Sequence, residues 1–226
     1  MKQSKKVLGT VTIGQSPRAD LIPEMRPHLG SDVEIIEAGA LDGLTLDEVH
    51  TLYPDKGDYV LITRMSDGTQ VKIAEKHILP RMQEKIDSLT RQGVQVIALV
   101  CTGEFPGFRS SKLLVEPQKV LFGTVKAVAE GHKLGVFIPD IDQVEHAKTR
   151  WSRVTGDLVV EPASPYGSMD AIIEAAEKLR VAGVQIAVLD CIGYTDAVKK
   201  AVKEILGVPV VLARSIVARV LGELLQ

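Results

Sequence analysis

The chain has 226 residues, 45% of them apolar, and its 27 Lys and Arg nearly balance its 29 Asp and Glu, for a net charge of −2. Without a basic stripe, and with only 4% aromatic residues, it makes a poor nucleic-acid binder. No apolar run approaches the ~18–20 residues of a membrane span, and the length suits two lobes of roughly 100 residues with full-sized cores.

The start, MKQSKKVLGTVTIG, is basic, but Gly9, Thr10 and Thr12 break its apolar stretch. It reads as a strand, Val7–Ile13, and not as a signal peptide, which makes a cytoplasmic protein the expectation. The strand runs into Gly14-Gln15-Ser16-Pro17-Arg18-Ala19-Asp20, a loop able to offer backbone N–H groups to an anion. Either Ser16 or Asp20 caps the helix that follows, and Pro23 fits early in a helix capped by Asp20. Arg18 stands near the positive end of that helix, where a cation is unfavourable. It either holds a substrate carboxylate or points into water.

Asp32–Glu37 reads as the second strand. Thr45 and Glu48 form a capping-box pattern. Tyr59–Arg64 and Thr69–Ile73 flank Ser66-Asp67-Gly68, a hairpin signal. The next helix spaces Ile78, Met82, Ile86 and Leu89 on one face and stops at Gly93, ahead of the strand Val94–Val100. Lys112–Val115 and a helix to Glu130 complete the first half.

In the second half, Lys133–Ile138 is a strand, and Asp140 with Gln143 forms a capping box for a helix to Trp151. Asp157–Glu161 is a strand. Ser168 caps a helix with Ile172, Ile173, Ala176 and Leu179 on one face, stopped by Gly183. Val184–Asp190 is nearly all apolar, as a strand buried on both faces requires. Thr195 caps a helix over 196–206, Val208–Leu212 is the last strand, and Ser215 caps the last helix. Alternating strands and helices imply an α/β fold with mostly parallel sheets and right-handed crossovers. The predicted lobes are 1–117 plus 213–226 and 118–212.

The lobes share a segment: GVQVIALVCTG at 93–103 and GVQIAVLDCIG at 183–193 match at six of eleven positions, and each contains one of the chain's two cysteines. Ligands in such sheets bind beyond the carboxyl ends of the strands, where Cys101 and Cys191 both sit. A cytoplasmic setting predicts thiols, and without a C-x-x-C spacing a redox couple is disfavoured. A lone strand-end cysteine is usually a small buried apolar residue, but duplication at this edge points to a reactive role for at least one of the thiols. Two thiols flanking one carbon could remove its proton from one face and return one to the other. Gly103 and Gly193 permit tight turns, Thr195 caps a helix just beyond Cys191, and Asp190 stands where the other copy has Val100. Asp190 either orients its neighbours or tunes one thiol, or else makes a structural hydrogen bond to the adjacent loop. Glu104, Arg109, Tyr166 and Tyr194 lie in candidate rim loops. His28, His50, His77, His132 and His146 lack metal-ligand spacing, and no nucleotide or phosphate motif is present. Neither a cofactor nor a metal is expected.

The segments TIGQSPRADLIPEM, LITRMSDGTQV, VEP at 115–117 and LDCIGYT at 189–195 resemble the AroM family, and the likeness covers essentially the whole chain. The paired strand–cysteine segments also look like the aspartate/glutamate/hydantoin racemase superfamily. That resemblance implies two pseudo-symmetric flavodoxin-like lobes with a cleft between them, a thiol from each, no cofactor, and a homodimer. On the matching positions, Cys101 and Cys191 would be the acid/base pair. The substrate, a small carboxylic acid, would meet Thr102, Gly103, Gly193, Tyr194 and the first loop (Gly14, Gln15, Ser16, Arg18). Amino-acid racemases carry C-N-T and C-T-H where this chain has Cys101-Thr102-Gly103 and Cys191-Ile192-Gly193, which weighs against amino-acid substrates. A racemase or isomerase is the leading expectation. The alternatives are a one-thiol decarboxylase or lyase and a non-catalytic small-molecule-binding protein.

Overall fold

The computed structural model describes residues 6–226. The basic opening, Met1–Lys5, on which part of the signal-peptide reading rests, lies outside the described residues. The chain divides into two compact units, one running to Pro117 and taking in Ala218–Gln226, the other spanning Gln118–Val217.

The first unit contains β1 (Lys6–Thr12), α1 (Ile22–Leu29), β2 (Val33–Gly39), α2 (Leu46–His50), β3 (Val60–Arg64), β4 (Gln70–Ala74), α3 (Glu75–Arg91), β5 (Val96–Leu99) and β6 (Leu113–Val115). Its parallel sheet has the order β2-β1-β5-β6, and β3–β4 form a separate antiparallel hairpin. Helix α4 (Pro117–Ala129) leads into β7 (Leu134–Ile138), α5 (Val144–Trp151), β8 (Leu158–Pro162), α6 (Met169–Val181), β9 (Ile186–Leu189), α7 (Asp196–Leu206), β10 (Val210–Leu212) and α8 (Ala213–Leu225). The second parallel sheet has the order β10-β9-β7-β8. With the hairpin set aside, the two sheets follow one plan, with β1, β2, β5 and β6 answering to β7, β8, β9 and β10.

The duplication extends to single contacts. Gln95 and Gln185 each brace the start of their strand. The Gln95 side-chain oxygen accepts from Val7 N–H at 3.3 Å, and its backbone N–H donates to Val7 O at 2.9 Å. The corresponding bonds from Gln185 to Lys133 are 3.0 and 2.8 Å. Gly9 and Gly135 sit at one register in β1 and β7. A Cβ on Gly9 would come 3.0 Å from Leu89 and 3.3 Å from Val94, and one on Gly135 would come 3.0 Å from Leu179 and 3.2 Å from Val184. Each glycine lets its helix settle against the sheet, and each helix ends on a positive-φ glycine, Gly93 or Gly183.

The core follows the sequence periodicity in α3, where Ile78, Met82, Ile86 and Leu89 are buried. The Thr45–Glu48 capping box forms, and Ser168 and Thr195 cap α6 and α7 through the N–H groups of Ala171 and Val198. Four local expectations are corrected. In α6 the buried face holds Ala175 with Ile172, Ala176 and Leu179, and Ile173 faces out. Asp140 accepts from Asp142 N–H and opens a single 3₁₀ turn ahead of α5, so the Asp140–Gln143 box does not start the helix. Ser215 lies inside α8, which starts at Ala213, and its hydroxyl donates to Leu212 O at 3.2 Å. Neither Ser16 nor Asp20 caps α1, whose cap position is Leu21. Among the described residues, no helix is long and apolar enough to cross a membrane.

In the first unit α8 passes α1 so closely that a Cβ on Gly222 would land on the His28 carbonyl oxygen. Helix propensity alone predicts that Gly222→Ala stabilises by roughly 1 kcal/mol. Overpacking against backbone predicts instead a loss of about 1–3 kcal/mol. Urea denaturation of the variant is expected to show the loss, and a raised midpoint would contradict this packing.

Candidate active site

Each cysteine stands two residues beyond a fully buried parallel strand, Cys101 after β5 and Cys191 after β9. Both thiols are partly buried. The chain folds back tightly at each one, so that the N–H two residues on meets the sulfur: Gly103 N to Cys101 Sγ at 3.3 Å and Gly193 N to Cys191 Sγ at 3.3 Å. An N–H aimed at sulfur favours the anionic form, which is the reactive one. At both turns neighbouring side chains fill the space beside the glycine. A Cβ on Gly103 would come 2.9 Å from the Phe105 ring and 3.0 Å from Leu61. One on Gly193 would come 2.7 Å from the Tyr166 hydroxyl and 2.9 Å from Pro165. The residues between, Thr102 and Ile192, are buried.

The surroundings differ between the copies. Val100 is an ordinary buried aliphatic, whereas Asp190 is a carboxylate only 2% exposed. Burying a carboxylate demands partners. Asp190 finds the Arg150 guanidinium and the Trp151 indole N–H, the latter at 2.7 Å, both at the end of α5. Arg214, 1% exposed, donates from Nε to Ile192 O and from Nη2 to Gly193 O, both at 2.9 Å. Sequence reading missed Arg150, Trp151 and Arg214, and the adjacent Arg150-Trp151 pair near a buried acid was the signal available for two of them.

Tyr194 is corrected. It is fully buried, and its hydroxyl donates to Ala163 O at 2.5 Å. Burial, and then the charges of Cys191 and Asp190 nearby, push its phenol well above the ordinary tyrosine range, so it stays protonated. It supports the turn from beneath and offers no polar atom at a rim. Tyr166, partly buried, is the aromatic over Gly193. Arg109 is exposed and its backbone is clamped by the Gln83 side chain, and Glu104 N–H donates to the Tyr59 hydroxyl at 3.2 Å.

The first loop is tied to its own unit. Gly14 has no room for a side chain, because a Cβ would strike Arg64 O and Thr63 Oγ1. The Gln15 amide donates to Leu41 O and Leu44 O, and its oxygen accepts from Ser66 N and Oγ at 2.8 and 2.9 Å. The Ser16 N–H and hydroxyl both donate to Asp42, at 2.7 and 2.8 Å. Gln15 and Ser16 therefore brace the loop. Arg18 does not point into water. It is 4% exposed, forks onto both oxygens of Asp20 at 2.8 and 2.7 Å, and donates to Thr12 Oγ1 at 3.0 Å. Burial alone would raise the Asp20 carboxyl, but the Arg18 hydrogen bond and charge, with the Arg64 charge behind them, bring it below its ordinary value. Arg18, Asp20 and Arg64, with Pro17 and the hairpin residues Met65–Gly68, line a cavity of about 220 Å³. Among the described residues, no group of three or more His, Cys, Asp or Glu is placed to hold a metal ion.

The family model for AroM protein matches residues 8–225. Among solved structures, the fold is shared with allantoin racemase from Klebsiella pneumoniae, at 14% identity and a TM-score of 0.65, covering 97% of this chain and 87% of that one. It is shared with Picrophilus torridus aspartate racemase, at 11% identity and a TM-score of 0.62, covering 96% and 93%. Unliganded arylmalonate decarboxylase has it too, at 15% identity and a TM-score of 0.58, covering 97% and 92%. The chain thus shares its fold with two racemases and a decarboxylase. No curated protein matches the sequence.

Two outcomes follow from these ion pairs. Arg150→Met removes the cation that balances a buried carboxylate and is expected to cost roughly 3–5 kcal/mol. Adding Asp190→Asn should restore part of that, and a double-mutant cycle without coupling would contradict the pairing. Asp20, lowered in the folded state, contributes stability above its unfolded value of 3.8 that is lost as pH falls through the folded value. The stability gap between wild type and Asp20→Asn should therefore be full near pH 7 and narrow below about pH 4. A gap independent of pH would contradict the assignment.

Proposed function

The chain belongs to the AroM family, and from that premise we propose that it is a cofactor-independent racemase or isomerase acting on a small carboxylic acid. Cys101 and Cys191 serve one substrate as an acid/base pair. One thiolate takes the proton from the carbon next to the carboxylate, and its C–H electron pair passes into the adjacent carboxylate π-system. The other thiol gives its proton to the opposite face, so the substrate leaves inverted with the two sulfurs in exchanged protonation states. Arg18 is the proposed source of positive charge for the carboxylate, which would take up the guanidinium fork now held by Asp20. Thr102, Gly103 and Gly193 frame the sulfurs, while Gly14, Gln15 and Ser16 hold the loop that carries Arg18.

The matched pair of sulfur–amide turns carries this reading. Two identical contacts of 3.3 Å, after corresponding strands of two like-built units, are hard to explain as packing. Shape alone would need only a small apolar residue at each position. The fold is also shared with proteins named for racemization, although fold alone does not set the reaction.

The difference between the turns supports a second reading, a decarboxylase or lyase relying on one thiol. Cys191 has a buried carboxylate beside it and a buried guanidinium on its turn, where Cys101 follows the aliphatic Val100.

Deuterium uptake from D₂O into a panel of small chiral carboxylic acids, followed by NMR, separates these readings. The paired-thiol reading predicts uptake by wild type and a fall of roughly 10²–10⁴-fold in both Cys101→Ser and Cys191→Ser. Loss confined to Cys191→Ser supports the one-thiol reading. No turnover, with tight ligand binding that survives both replacements, would reject enzymatic function in favour of a binding protein. On this reading Arg18→Lys is expected to raise KM more than it lowers kcat, because it keeps the charge and loses the fork.

A further inference from the structure

The Ile192–Gly193 peptide has a partner on each side. Its N–H donates to Cys191 Sγ at 3.3 Å, and its C=O accepts from Arg214 Nε at 2.9 Å. A trans peptide is planar and its two polar bonds point in opposite directions. A cation on the oxygen draws electron density away from the N–H and makes it a stronger donor, by about 10–30% for neighbouring bonds in a chain. The second arm of the fork, Nη2 to Gly193 O at 2.9 Å, fixes the following peptide, so the turn has little freedom to rotate its N–H off the sulfur.

The position of Arg214 is otherwise unfavourable. It is the second residue of α8, at the positive end of a helix, and its guanidinium is almost wholly buried. Two of its donors are spent on the cysteine turn. The corresponding place in the first copy carries no arginine. Ala98 pairs with Val115 and the matching Val188 pairs with Val211, so the residue answering to Arg214 is Gln118, the neutral second residue of α4.

We propose that Arg214 is a positioning residue for Cys191, acting through the Ile192–Gly193 peptide to fix and strengthen the N–H that meets the sulfur and so to make Cys191 the more readily ionised of the two thiols. This rests on Cys191 being a reactive thiol, and it assigns Cys191 as the first thiolate of the proposed reaction. Three other ionisable groups stand near Cys191. Asp190 beside it is balanced by Arg150 from α5. Tyr194 within the turn stays protonated because of its burial. Tyr166, from the loop after β8, brings its hydroxyl against Gly193.

The test needs no substrate, so its failure is distinguishable from failure of the functional reading. Iodoacetamide alkylation of Cys101 and Cys191 would be resolved by mass spectrometry from about pH 6 to 10, the span in which thiols ionise. In wild type the Cys191 midpoint is expected below that of Cys101. Arg214→Gln should raise the Cys191 midpoint by about one pH unit, slowing its alkylation roughly tenfold below the midpoint, and leave Cys101 unmoved. Arg214→Lys, with the charge but not the fork, should fall between. Emission from Trp151, the chain's one tryptophan, reports whether the second unit is intact in each variant. An unmoved Cys191 profile in folded Arg214→Gln, or equal shifts at both cysteines, overturns the proposal. If neither variant folds, the wild-type order decides, and a Cys191 midpoint at or above that of Cys101 overturns it.

Discussion

A backbone N–H reaching back to a sulfur at the end of a buried strand is the interaction on which the rest of the molecule turns. It forms once in each unit, at the same length, and it needs three things from the sequence. The strand must be apolar on both faces, so that it ends abruptly at the sheet edge with the cysteine just beyond. Glycine must follow two residues later, because an aromatic ring occupies the space a Cβ would take. The strand must also be held in register from below. Gln95 and Gln185 do this with paired bonds to Val7 in β1 and to Lys133 just ahead of β7, and Gly9 and Gly135 leave room for the preceding helix to seat closely. The amino acids repeated between the units are largely those this geometry requires.

What is not repeated is equally informative. The first unit adds the β3–β4 hairpin, whose turn is bonded to Gln15 and which carries Arg64 against the Arg18 loop. After Cys101 the chain runs without a helix to β6, whereas Thr195 starts α7 soon after Cys191. The second unit adds charge. Asp190, Arg150 and Arg214 form a buried set around one turn, whereas Val100 precedes Cys101 and the position equivalent to Arg214 is Gln118. Duplicated geometry with unequal electrostatics suits a chemistry in which the two sulfurs begin in different protonation states. Proton transfer across two faces of one carbon has that requirement at each turnover.

Much of this was legible in the sequence. The α/β alternation, the hairpin at Ser66–Gly68, the caps at Thr45, Ser168 and Thr195, and the buried stripe of α3 follow from local rules and appear where those rules put them. The readings that failed did so where tertiary hydrogen bonds outbid local ones. Ser16 and Asp20 are good cap residues, but Asp42 takes the first and Arg18 the second, so α1 starts without a side-chain cap. Ser215 lies past the start of its helix because β10 leads straight into α8. Ile173 and Ala175 exchange places in the buried face of α6 because spacing gives the width of a stripe better than its phase. Tyr194 was read as a rim residue from its closeness to Cys191 in sequence, which carries no information about direction. Arg214 gave no local signal, since its role depends on the register between β9 and β10.

The central claim is that two thiols work on opposite faces of one carbon. The most direct measurement follows the conversion of a single enantiomer in D₂O at early times, with the label counted separately in recovered starting material and in product. Two thiols acting in turn predict deuterium in the product enantiomer and almost none in the recovered starting enantiomer, because the proton removed from one face is not the one returned to the other. Equal labelling of both pools from the earliest times would mean that one group serves both faces, and would contradict the account.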